Sequence, residues 1–263
     1  LKLKYPSILS GAASAVLLLL FWALPVSAVP GRLTIYTEHF PPYNYAQDGR
    51  VVGVNVKIVE QLCLRSGLHC DFELYPWLRA YALASKDSLG GLVSVSRTPE
   101  REQHFHWVGP LKSAQSYLYR LASRPDIRIS SLEDAKAYTI AIGRGDVYER
   151  HLIDRGFSYD QNLVGFASKF DAMELFVKGK IDLIVGSEIV MPVWIERTGS
   201  AVGDVEPVIA LHNVGGNYLA LNRDIPASIV EGMRETLQQL HQSGKYQTLV
   251  ERYYKPVNSG NEK

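Results

Sequence analysis

The chain has 263 residues, 46% hydrophobic and 21% charged, with 28 basic side chains against 27 acidic ones. The apolar fraction excludes a disordered chain, and the length suits one large domain or two modest ones. A near-zero balance without a basic cluster argues against nucleic acid or an anionic membrane surface as partner.

Residues 1–28 read as a cleaved secretory signal. Lys2 and Lys4 precede the apolar run AVLLLLFWALPV, and Val26, Ser27 and Ala28 supply the small residues of a cleavage site. The run is short for a membrane span and Pro25 interrupts it, which favours cleavage over an uncleaved anchor. No cysteine follows the run, so a diffusible protein without a lipid anchor is expected. Loss of Lys2 and Lys4 leaves 26 basic against 27 acidic residues, a net charge of −1.

A strand is expected over Leu33–Tyr36, then a loop, Thr37–Tyr45, stiffened by Pro41 and Pro42; rigid loops at strand ends are common binding positions. After the Asp48-Gly49 turn, Val56, Val59, Leu62 and Cys63 fall at helical spacing, predicting a helix from about Asn55 to Ser66 with Asn55 as its cap. Cys63 and Cys70 bracket the Gly67 turn in CLRSGLHC. In an oxidising compartment they are expected as a disulfide ahead of two buried thiols. Zinc is disfavoured, because His69 is the sole other nearby ligand type and a structural site takes four. A second strand over residues 70–75 ends at Pro76-Trp77, and a helix from about Leu78 to Lys86 follows, where Arg79 is most simply a solvated side chain.

The stretch Leu92–Pro110, LVSVSRTPEREQHFHWVGP, opens as an alternating strand with Leu92, Ser94 and Ser96 on one face and Val93 and Val95 on the other. Thr98-Pro99 breaks it, and Arg101 stands just beyond. A guanidinium there offers a forked donor set suited to a carboxylate; the plainer reading is a surface ion pair with Glu100 or Glu102. Hydroxyl, one residue, hydroxyl, then Thr98-x-x-Arg101 and the aromatic segment Phe105/Trp107 closing on Gly109-Pro110 resembles the ligand-gripping segment of family 3 periplasmic solute-binding proteins. These are receptors that feed polar amino acids and related solutes to ABC importers.

The resemblance spans nearly all of residues 31–257. It implies an α/β fold of the two-domain periplasmic-binding-protein type II kind: two wound mixed sheets joined by two crossover strands. Residues 29–117 plus 215–257 would form a discontinuous domain 1, residues 118–214 domain 2, and residues 258–263 a loose tail. Arg101 would hold the ligand carboxylate with help from Ser94 and Ser96. Phe40 aligns with a ring stacked on the ligand, the alternative being a ring that plugs the core. Trp77 falls where the family covers the ligand with an apolar residue, and Trp77 with Arg79 forms a Pro-Trp-x-Arg element of one branch. A disulfide closing the same short helix-to-strand loop also occurs in the family.

Further along, Ser116–Leu121 is an alternating strand, Ser131 to Asp134 a capping-box-like helix start, and Tyr138–Ile142 an apolar strand. It stops at Gly143-Arg144-Gly145-Asp146, where a helix start favours anions. The resemblance makes Gly145 and Asp146 ligand contacts. Asp146 replaces a common Thr or Ser, so it either caps its own helix or signals a ligand with a cationic end. A capped helix spans Ser168–Gly179 with Phe170, Met173 and Phe176 inward. The Gly179-Lys180-Ile181-Asp182 pattern then enters a strand at whose end family members present an Asp to the ligand ammonium. Ser187 stands there, with Glu188 beside it: either Glu188 substitutes, or the ligand has no α-ammonium group. The chain returns through a strand at Asn217–Leu221, a helix from Pro226 to Gly244 carrying Ile229, Met233, Leu237 and Leu240, and a last helix over Tyr246–Tyr254. A membrane-tethered sensor domain is not expected.

The reading is therefore a monomeric, cofactor-free periplasmic receptor that takes a small carboxylate-bearing solute, an amino acid or a related compound, to an ABC permease. It is not read as an enzyme. Nucleophile elbow, P-loop and dinucleotide fingerprint are all missing, and His104 and His106, expected on one strand face, make a poor metal site. The alternative is a cyclohexadienyl-dehydratase-like enzyme on the same scaffold, with Glu38, Asp146 or Glu188 as general acid.

Overall fold

The computed structural model describes residues 31–211, 216–251 and 253, together with Leu1. The expectations for the signal at residues 1–28, apart from Leu1, and for the tail at residues 258–263 lie outside that set.

In chain order the first lobe contains β1 (Arg32–Thr37), a small hairpin of β2 (Tyr45–Gln47) and β3 (Arg50–Val52), α1 (Val54–Arg65), β4 (His69–Leu74), α2 (Trp77–Lys86), β5 (Gly90–Ser96), a single turn α3 (Pro99–Glu102) and β6 (Phe105–Lys112). The second lobe follows with β7 (Ser116–Leu121), a 3-10 turn at Asp134–Ala137, β8 (Ile140–Gly143), α4 (Val147–Ile153), β9 (Leu163–Phe166), α5 (Lys169–Val177), β10 (Leu183–Ser187), α6 (Val190–Arg197) and β11 (Val205–Ala210). The chain then returns through β12 (Asn217–Asn222), α7 (Ala227–Gln242) and α8 (Lys245–Glu251).

Two five-stranded sheets result, ordered β4-β1-β5-β12-β6 and β11-β7-β10-β8-β9. Each is mixed. Helix-linked strands pair in parallel, β1 with β4 and β5 and β8 with β9 and β10, whereas β12 and β7 run antiparallel to their neighbours. Parallel neighbours need a crossover helix and antiparallel ones do not, so the order of elements dictates the pairing. The chain passes from the first sheet to the second between Lys112 and Ser116, and back between Ala210 and Asn217. Two wound mixed sheets joined by two crossings is the type II arrangement.

Local chemistry explains most elements. Met233 and Leu240 on α7 are buried at helical spacing together with Ile229 and Leu237. Cys63 and Cys70 form a disulfide with Cα atoms 6.1 Å apart, across the turn where Gly67 has φ +69°, a left-handed conformation that favours glycine.

Two local expectations fail. Asn55 does not cap α1: the cap position is Gly53, and Asn55 is buried in the first turn, donating through Nδ2 to Ser94 Oγ at 2.8 Å. Lying one position inside the helix start, Asn55 cannot place its Oδ1 as the cap acceptor, and its buried amide instead uses its donor on Ser94. The alternation of β5 also breaks. Ser94 has φ +63°, and β12 pairs Tyr218 with Val95 but Leu219 with Val93, leaving Ser94 as an extra residue. Leu92 and Val95 consequently pack in one apolar cluster and Val93 in another. A bulge shifts every later side chain by one face.

The lobes are closed on each other. Phe40 and Trp194 sit with ring centroids 5.8 Å apart, and Trp194 donates to the Pro41 carbonyl at 3.0 Å. Through Tyr43, Phe40 and Trp194 one buried apolar cluster runs from the α1 side of the first lobe into the α5 and α6 side of the second.

Candidate functional site in the cleft between the lobes

Between the sheets lies a cleft holding about 590 Å³ of space free of protein atoms, part of it open to solvent. Phe40, Trp77, Ser94, Ser96, Arg101, Asp146 and Ser187 all line it, as do Glu38 and Lys169. It continues into a more apolar compartment of about 490 Å³ among Ala141, Ala172, Ile184, Val190 and Trp194, with Phe40, Asp146 and Lys169 shared between the two.

Arg101 reaches the cleft because Thr98 caps α3 and accepts from the Arg101 backbone N–H at 3.4 Å. Its guanidinium donates to Ser96 O at 3.2 Å and Gly145 O at 3.0 Å, and lies 5.3 Å from the Trp77 ring centroid. Glu102 is engaged elsewhere: it takes two bonds from Arg97, each 2.6 Å. The simple surface pair of Arg101 with Glu102 is therefore not formed. Adjacency in the sequence suggested it, but Arg97 reaches the same carboxylate from the strand end in a forked geometry.

Gly145 stands at the meeting point of the lobes. Its carbonyl also accepts from Trp77 Nε1 at 2.8 Å, and its φ is +74°. A Cβ there would drive into Leu78, so the close approach needs glycine. Gly145 thus meets the first lobe through its backbone and is not itself a cleft-lining residue. Arg79 lies over the Tyr75 ring, 4.5 Å from its centroid, away from the lining.

Ser94 is buried, donating its hydroxyl proton to Asn44 Oδ1 while accepting from Asn55. With its one proton committed, it can offer a ligand only a lone pair. Ser187 is buried and accepts from Val190 N at 3.4 Å. Glu188 is exposed and outside the lining; it accepts from Gln115 N at 2.9 Å, at the crossing between the lobes. It does not supply the carboxylate absent at Ser187, because the two side chains of consecutive residues leave the chain in different directions. His104 precedes β6 rather than sharing a face with His106, which contacts Arg223 O at 3.2 Å. Among the described residues no group of three or more His, Cys, Asp or Glu side chains could hold a metal.

The sequence reading missed Lys169. From the first position of α5 its Nζ contacts Glu38 Oε1 at 2.9 Å and Asp146 Oδ2 at 2.8 Å, and lies 4.2 Å from the Phe40 centroid and 5.9 Å from that of Trp77. Side-chain exposures of 18% for Lys169, 6% for Glu38 and 14% for Asp146 make this a buried triad across the lobes. Asp146 caps α4, its Oδ1 accepting from Tyr148 N at 2.8 Å, while its Oδ2 meets not a ligand but a cation of the chain itself, Lys169. A sequence signal existed, since a lysine at a helix N-terminus opposes the helix dipole and calls for a tertiary reason.

The charges follow from that geometry. Burial pushes the Glu38 carboxyl up, with Lys169 opposing and the nearby Asp146 adding to the rise. Burial works the same way on Asp146, but the charge and hydrogen bond of Lys169, with the Tyr148 N–H, hold it below the ordinary aspartate value. For Lys169, burial favours the neutral amine and is outweighed by its two carboxylates, so the net displacement is upward.

The family model for bacterial extracellular solute-binding proteins, family 3, matches residues 33–256. The chain belongs to that family. Among its curated relatives, the probable amino-acid-binding protein YxeM of Bacillus subtilis (strain 168) is 21% identical over 81% of this chain and 80% of its own length. The arginine-binding periplasmic protein of Mannheimia haemolytica is 22% identical over 90% of this chain and 97% of its own. Among solved structures, an ancestral arginine-binding protein bound to arginine superposes with a TM-score of 0.76 at 17% identity, covering 86% of this chain and 99% of that one. At that identity the likeness speaks for the fold.

Proposed function

We propose that this family member is a periplasmic receptor that captures a small carboxylate-bearing solute, an amino acid or a related compound, and delivers it to an ABC importer. The observation carrying this is Arg101, a guanidinium in an interlobe cleft that bonds to backbone carbonyls rather than to a carboxylate. Its remaining N–H groups match the forked geometry of a ligand carboxylate. Relatives named for amino-acid and arginine binding support the ligand class, and one named periplasmic supports the compartment.

In this mechanism the open form exposes Arg101 and Ser96 on the first lobe, and they take the carboxylate, while Ser94, its proton given to Asn44, offers the solute only an acceptor. Phe40 and Trp77 cover the body of the solute. Asp146, at the helix start, and Ser187 close over it from the second lobe. Contacts made only in the closed form supply the differential affinity that shifts the population toward it, and a permease reads that form. The protein acts as a monomer, without cofactor or catalysis. A thermal-shift screen of amino acids, organic acids and polyamines tests the reading: a ligand at 100 times its Kd stabilises the native state by about 2.7 kcal/mol. Failure of every carboxylate-bearing compound to raise the melting point would refute it.

One observation favours the dehydratase reading: Glu38 is buried with its proton affinity raised, as a general acid requires. Incubation with prephenate or arogenate decides it, since an aromatic product would establish the enzyme and absence of turnover would remove it.

A further inference from the structure

The cleft already contains a bound cation, and it belongs to the protein. Lys169 Nζ sits between two carboxylates and over two aromatic faces, with Glu38 at 2.9 Å, Asp146 at 2.8 Å, Phe40 at 4.2 Å and Trp77 at 5.9 Å. Carboxylates joined to ring faces are the surroundings in which an ammonium or guanidinium group is best stabilised away from water.

Among the described residues, Glu38 and Asp146 are the sole acidic side chains lining the cleft and its apolar extension, and Lys169 engages both. Arg101 also lines the cleft, with its guanidinium bonded to backbone carbonyls and not to either of these carboxylates. Ser187, at the end of β10 in the second lobe, uses its hydroxyl as an acceptor for Val190 N. An incoming ammonium would be buried without a carboxylate of its own, which is costly, whereas an anion would balance the lining. The apolar compartment opening beside Phe40 and Lys169, walled by Ala141, Ala172, Ile184, Val190 and Trp194, suits a hydrocarbon body rather than a second charged group.

We infer that Lys169 is a resident cation filling the cation cage of the cleft, so that the ligand is an apolar carboxylate without an ammonium group, such as a branched or aromatic 2-oxo acid. This rests on the cleft being the solute site, and it narrows the ligand from amino acids to their ammonium-free relatives. Lys169 is then the residue that sets specificity, by occupying the place a cationic group would take.

Calorimetric titration of the mature protein with matched pairs tests the inference: 4-methyl-2-oxopentanoate against leucine, phenylpyruvate against phenylalanine, and arginine as the cationic probe. The parent should bind an oxo acid at least about tenfold more tightly than its amino acid, equivalent to ~1.4 kcal/mol, and should not bind arginine. Lys169→Ala should gain arginine binding as the cage empties. Lys169→Met, which keeps the buried stem and guards against a folding failure of the alanine variant, should shift the oxo-acid to amino-acid ratio toward the amino acid. The inference is overturned if the parent binds the amino acid as tightly as the oxo acid, or if neither variant changes its preference. In that case, binding that is lost in Arg101→Ala would still uphold the cleft as a solute site. Binding of none of these compounds by the parent or the variants would overturn the inference, and the receptor reading would then be decided by the wider thermal-shift screen.

Discussion

Replacing Arg101 by alanine separates a ligand-gripping arginine from one that holds the fold. In the structure the side chain makes two hydrogen bonds to carbonyls, Ser96 O at 3.2 Å and Gly145 O at 3.0 Å, and contacts the Trp77 face. Gly145 O keeps its bond from Trp77 after the substitution, and the site is only partly buried, so water replaces much of what is lost. The cost to the empty protein is then about 1–2 kcal/mol, a fall in Tm of about 2–8 °C for a domain of this size. A carboxylate that loses its guanidinium in a closed cleft costs about 2–5 kcal/mol, or roughly thirty- to five-thousand-fold in Kd. Titration calorimetry with a ligand from the screen, alongside differential scanning fluorimetry of the empty protein, measures both. Arg101→Lys should fall between parent and alanine, since lysine keeps the charge and loses the fork. A Kd within tenfold of the parent together with a Tm lowered by more than about 15 °C would refute the argument.

Two further outcomes follow from the buried charges and the disulfide. Burial raises the Glu38 pKa above its ordinary 4.5, so the ionised carboxylate disfavours folding. That penalty is absent below the unfolded value and grows as pH rises through the folded one. Glu38→Gln should therefore gain stability relative to the parent at neutral pH, and the advantage should vanish as pH falls below about 4.5; Tm measured against pH reads it, and a constant offset would show that titration is not the cause. Mutation of Cys63 and Cys70 together to serine opens a loop with a sequence separation of 7. Chain entropy puts the loss at about 2.5 kcal/mol, a Tm lower by about 5–10 °C, with ligand affinity unchanged because the bond lies outside the cleft lining. A reduced parent should match the double variant in thermal melting.

Much of the architecture was legible because it rests on local periodicity. The strand and helix order, the inward face of α7, the capping of α4 by Asp146 and of α5 by Ser168, and the cysteine pair across a glycine turn all depend on residues a few positions apart. Resemblance supplied Arg101, Phe40 and Trp77, and all three line the cleft. The errors lie where a distant partner intervened. Asn55 left its capping role to bond with Ser94, 39 positions away. Strand β5 lost its alternation at a bulge seen only in its register against β12. Glu188 turned to the crossing between the lobes.

By itself the sequence determined the parts: which segments are strands and helices, which faces are apolar, and which residue bears a forked cation beyond a strand end. Only the tertiary structure decided the charge state of the cleft. Glu38 and Lys169 are 131 positions apart, and neither local period nor motif relates them. Their pairing exists because packing the two lobes together removes both groups from water, and a buried charge then requires its opposite within reach.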